Sequence, residues 1–144
     1  MKSFLTGVFI LLSVTLFSHT RIYILTETVQ QCKIDLNEIK IFGCGTEMKM
    51  AGIFIIDDYL SEVWGVETIM HMTPTADSDY YIQKIQNNET STITEVISDT
   101  GNKYTLLFDW KNDIVTAVYM NDNIPNSNRN LVRWKIANVL FVKE

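Results

Sequence analysis

The chain has 144 residues, a net charge of −5 at pH 7 and 47% hydrophobic residues. That length holds one domain with a core of its own, and that hydrophobic share excludes a disordered chain. The acidic balance speaks against nucleic acid and against adhesion to anionic lipid, since both reward clustered Lys and Arg.

The chain opens with Lys2 and an apolar run from Phe4 to Phe17, broken by Ser18-His19-Thr20-Arg21. A basic start and an apolar stretch of roughly 7–15 residues make a secretory signal peptide. The run falls short of the roughly 20 apolar residues of a membrane span. The expectation is a signal peptide over 1–18, one domain over 19–144, and a secreted or periplasmic protein without a stable membrane span. Ser18 suits a cut after it, although Leu16 is large for the position two before. A cut after Thr20 puts small residues at both places. The competing reading is a buried apolar strand or helix.

Beyond the run, Thr, Ile, Val, Tyr and Phe recur at period two, the spacing of strands. Strands are expected over 22–29, 32–36, 40–44, 47–56, 63–72, 80–86, 91–98, 103–110, 114–120 and 131–142. The last is ambiguous. Val132, Trp134, Ile136, Leu140 and Val142 alternate, but Asn138 breaks the run, and Leu131, Trp134, Lys135 and Asn138 equally fit a helix. Short connections rich in Asn, Asp and Gly separate the strands. The fold class is therefore all-β, an antiparallel meander closing into a small barrel or sandwich so that no sheet edge stays exposed. Barrels of about eight strands can enclose one small ligand. This architecture resembles lipocalin and fatty-acid-binding barrels. The Gly-x-Trp signature of lipocalins is missing, because Trp64-Gly65 has the order reversed, and no family is assigned.

Cys32 and Cys44 are the only cysteines, and in an oxidising compartment they read as a disulfide. If 32–36 and 40–44 form a hairpin around Asn37-Glu38-Ile39, Cys32 lies opposite Cys44 and Ile34 opposite Phe42. Two cysteines cannot by themselves complete a zinc site.

Two Met-x-Met sequences follow. If 47–56 and 63–72 pair with partners summing to 120, Met48 faces Met72 and Met50 faces Met70. All four thioethers then share one sheet face, a donor set that suits Cu(I). The plainer reading is a core or pocket wall, which methionine fills well. The same register pairs Phe54 with Val66 and Ile56 with Trp64.

Asp57-Asp58 and Asp77-x-Asp79 are expected in loops. A hydrolase could use such carboxylates if one had a raised pKa. His71 is the one imidazole left if the cut falls after Thr20. With no Gly-x-Ser-x-Gly elbow and no Cys–His pattern around it, it reads as a packing or surface residue. In the hairpin over 103–120, a turn at Lys111-Asn112 puts Tyr104 opposite Tyr119 and Phe108 opposite Val115. The expectation is a non-catalytic, exported module for an apolar ligand or a protein partner, with no required cofactor. Phe54, Trp64, Tyr104 and Tyr119 are its candidate pocket residues. The alternatives are an extracytoplasmic copper protein and a hydrolase.

Overall fold

The computed structural model describes residues 20–57, 68–123 and 125–143. Nine strands follow one another: β1 (Thr20–Asp35), β2 (Lys40–Phe42), β3 (Met48–Asp57), β4 (Thr68–Met72), β5 (Asp77–Asn87), β6 (Ser91–Ser98), β7 (Lys103–Asp109), β8 (Ile114–Tyr119) and β9 (Asn128–Lys143). Each pairs antiparallel with a neighbour, and β1 also pairs with β9 from Thr20–Lys143 to Asp35–Asn128. The sheet therefore closes into a barrel. Because β2 and β3 both lie antiparallel along the same side of β1, the wall is eight strands around. The proposed signal peptide, Asp58 and Trp64 lie outside the described residues.

Alternation decides what faces inward. Ile24, Phe54, Ile69, Val96, Leu106, Phe108 and Val115 are at most 2% exposed and form the core. Trp110 packs against the core at one end of the barrel: its ring stacks on Phe108 at 5.5 Å and its Nε1 donates to Thr92 Oγ1 at 2.9 Å. We call this the Trp110 end. It also holds the start of β1 and the end of β9, whereas the opposite end carries the 99–102 and 121–127 segments.

Three registers differ from, or bear out, the sequence expectation. The hairpin over 103–120 pairs as expected, with Tyr104 opposite Tyr119 and Phe108 opposite Val115, although its turn spans 110–113. The cystine hairpin slips by one residue: Ile34 faces Ile41 and Lys33 faces Phe42. A four-residue turn over 36–39 replaces the expected three, and Ile39 and Gly43 both adopt positive φ. The Cys32–Cys44 disulfide still forms, with Cα atoms 4.0 Å apart, because the chain leaves ladder geometry at Gly43.

The methionine hairpin is the larger correction. Ile53 faces Met72, Phe54 faces His71 and Ile55 faces Met70, so partners sum to 125. An odd-numbered slip reverses one strand's faces relative to the other. Met50 packs on the core, on the face that carries Phe54, while Met70 and Met72 stand on the opposite face, with Met72 40% exposed. Met48 pairs with Val29 and is 56% exposed.

The C-terminal segment is a strand throughout. Asn138 breaks the alternation because β9 bulges beside it, with Leu25 opposite Asn138 and Thr26 opposite Ile136. A bulge adds one residue and resets the period. A second, smaller cluster lies outside the barrel wall, where Cys32, Val118 and Leu131 bury one another against Ile34, Leu36 and Met120.

Candidate functional site

At the end away from Trp110 the lumen is not filled. A cavity of about 330 Å³ is lined by Tyr80, Tyr104, Ala117, Tyr119, Asn130, Val132 and Trp134. These residues come from β5, β7, β8 and β9. Tyr80 reaches Tyr104 across β6, which pairs with both β5 and β7. Tyr80 and Tyr104 meet edge to face at 5.7 Å and 85°, and Tyr104 meets Tyr119 at 5.5 Å and 70°. Ala117 keeps the space open, since its short side chain sits where a larger one would fill the lumen.

Hydrogen bonds fix the outer lip. Asn121 Nδ2 donates to the Tyr119 hydroxyl at 2.6 Å and to Asn102 Oδ1 at 3.2 Å, while Asn121 Oδ1 accepts from the Lys103 amide at 2.7 Å. Among the described residues, no Lys, Arg, Asp or Glu lines the cavity. Burial pushes the Tyr80 and Tyr104 phenols above their usual range, with neighbouring Tyr104 and Tyr119 adding to the respective shifts. Both therefore stay neutral at physiological pH.

Trp134 forms the floor. Its ring meets Phe54 at 5.1 Å and His71 at 4.9 Å, both edge to face, and Phe54 stacks on His71 at 4.1 Å. Burial lowers the His71 pKa to about 4, so its ring is neutral at pH 7. Thr26 Oγ1, His71 Nε2 and Trp134 Nε1 are buried and have no hydrogen-bond partner among the described residues. Because the indole nitrogen is shielded from solvent, Trp134 offers the cavity ring carbon rather than a donor.

Of the residues proposed from sequence, Tyr104 and Tyr119 line the cavity. Phe54 does not: it is fully buried beneath the floor, against His71 and Trp134. Tyr80 and Trp134 were not among the proposed pocket residues. Their membership depends on the registers of β5–β6 and β8–β9, which the hairpin over 103–120 does not carry.

The register separates Met48 and Met50 from Met70 and Met72, so the single thioether patch does not form. No group of three or more His, Cys, Asp or Glu is placed to hold a metal ion among the described residues. Asp57 and Asp77 are strand residues, not loop residues, and so is Asp79. Asp57 accepts from Arg21 Nε at 3.0 Å.

A second concavity of about 290 Å³ lies on the outer wall around Arg133 and Gln30. Arg133 Nε already donates to Gln30 Oε1 at 2.8 Å there. Compared with known proteins, the chain matches no family model, no curated relative and no solved structure.

Proposed function

We propose that the protein is a small exported binding module whose lumen takes up a small, mainly apolar molecule at the tyrosine-lined end. The supporting observation is the cavity at the end away from Trp110, a space of about 330 Å³ walled by uncharged, largely aromatic side chains. Small-molecule sites fall in this form and at the lower end of this size range, with a few polar groups such as Asn130 setting orientation. Export rests on the N-terminal apolar run. The Cys32–Cys44 disulfide is compatible with an oxidising compartment.

Titration with the neutral fluorophore N-phenyl-1-naphthylamine tests the binding reading. The wild-type protein should give a saturable rise in emission, and Ala117→Phe, which fills the cavity from its wall, should abolish it. Met72→Ser, on the outer face, should leave it intact. No saturable signal, or an equal signal from Ala117→Phe, overturns the reading. N-terminal sequencing of the exported protein tests the cut, with a start at His19 or Arg21 expected.

A further inference from the structure

The cavity's lining points to more than apolarity. Four aromatic rings (Tyr80, Tyr104, Tyr119 and Trp134) border it, with no cationic side chain among the lining residues. The successive tyrosines stand at 85° and 70° to one another, so the walls turn corners as the sides of a box do. Each ring presents a negative face to a guest lying over it, and a cation within about 6 Å of the ring centre is attracted to that face.

The rim adds charge of the same sense. Asp99 acts electrostatically on the Tyr80 phenol, and its amide donates to the Asp79 carbonyl at 2.9 Å, which holds the 99–102 turn beside Tyr80. No ion pair to Asp99 is present among the described residues. Lys103, at the same end of the barrel, is held by Asp122 at 2.8 Å. A chain of net charge −5 also draws cations toward itself.

We propose that the ligand is an organic cation, a small alkylated ammonium whose methyl groups fill the box formed by Tyr80, Tyr104, Tyr119 and Trp134. This rests on the reading of the lumen as a binding site and names the ligand's class. Methylated ammonium fits better than a bare one. It sheds water at less cost, and its spread charge contacts several rings at once. A free primary ammonium would demand hydrogen-bond acceptors, and the lining supplies few of them.

Choline and 3,3-dimethylbutan-1-ol have the same shape and differ in carrying N⁺ or C at the branch point. Calorimetric titration at constant ionic strength should find choline bound about tenfold more tightly than the alcohol, the scale of a partly desolvated cation–π contact. Tyr104→Leu should reduce choline binding more than alcohol binding, and Ala117→Phe should remove both. Equal or tighter binding of the alcohol overturns the cation proposal and leaves the apolar pocket standing. If neither compound binds while N-phenyl-1-naphthylamine still does, the cation proposal again falls alone. If all three fail to bind, the pocket reading falls with it.

Discussion

His71 sits where few imidazoles do, stacked on Phe54 and 7% exposed, with its pKa lowered to about 4 by burial. The consequence has a definite sign. Above the unfolded value near 6.5, folded and unfolded chains both carry a neutral ring. As pH falls from about 6.5 toward 4, the unfolded chain takes up a proton that the folded one refuses. Stability present above pH 6.5 is lost across that window, by about 3 kcal/mol in all. His71→Phe keeps a flat ring on Phe54 and removes the titration. Urea midpoints at pH 7 and pH 4.5 should differ less in the variant than in the wild type, and an unchanged difference would contradict the assignment. Gly52 makes a second residue-scale test. A Cβ there would lie 2.8 Å from Thr26 Oγ1, and only 3.5 Å from His71 Nε2. Thr is stiff at χ1 and cannot swing aside freely. Gly52→Ala should therefore cost about 1–3 kcal/mol. In a Thr26→Ala background, which deletes a hydroxyl without a hydrogen-bond partner, the cost should drop below about 1 kcal/mol. Equal costs in both backgrounds, measured by urea unfolding, would show that this contact is not the obstacle.

Among the elements, the hairpin of β1 and β2 stands apart. It pairs through three residues on each strand, from Lys33–Phe42 to Asp35–Lys40, and its tip exposes Ile39 at 80%. So short a ladder owes its order to the cystine and to Leu36, whose amide donates to the Ser127 carbonyl at 2.9 Å. Closing a loop of this length stabilises by about 3 kcal/mol in the chain-entropy model. Reduction should lower the unfolding free energy by that order and speed amide exchange over 33–42. Protection along the β3–β4 pairing should persist. Uniform acceleration across the barrel would mean that the bridge supports the whole wall. This hairpin also shows what the sequence carries and what it does not. The period-two pattern placed the strands, and Ser91–Ser98 appears with its expected bounds. Register followed where a short Asn/Asp turn pinned it, as between Tyr104 and Tyr119. It failed by one residue where Gly43 leaves the ladder. It failed by five where the long connection between Asp57 and Thr68 let the strands slide. The cavity was half legible for the same reason: one hairpin brings Tyr104 and Tyr119 together, whereas Tyr80 stands across β6 from β7 and Trp134 lies on β9 beside β8, so placing them needs the registers of further pairings.

For the molecule as a whole, closure through β1 and β9 is the defining act. It joins the first and last described strands along 15 residue pairs. Since Thr20 and Lys143 are ladder partners, a short Gly/Ser linker can join them, and the chain can be reopened at the exposed Asn88-Glu89 turn. Such a circular permutant should keep the strand-dominated circular dichroism spectrum and lose no more than about 2 kcal/mol, because no ladder pairing is cut and the new ends fall at an exposed loop tip. A permutant without cooperative unfolding would show that chain order matters beyond the final contacts.

The placement of Thr20 and Lys143 at the Trp110 end of the barrel has a practical side. An affinity tag or biotin joined past residue 143 emerges at the pole opposite the tyrosines. Protein captured on a sensor chip by that handle would present its aromatic entrance to the flowing solution, every copy in the same orientation.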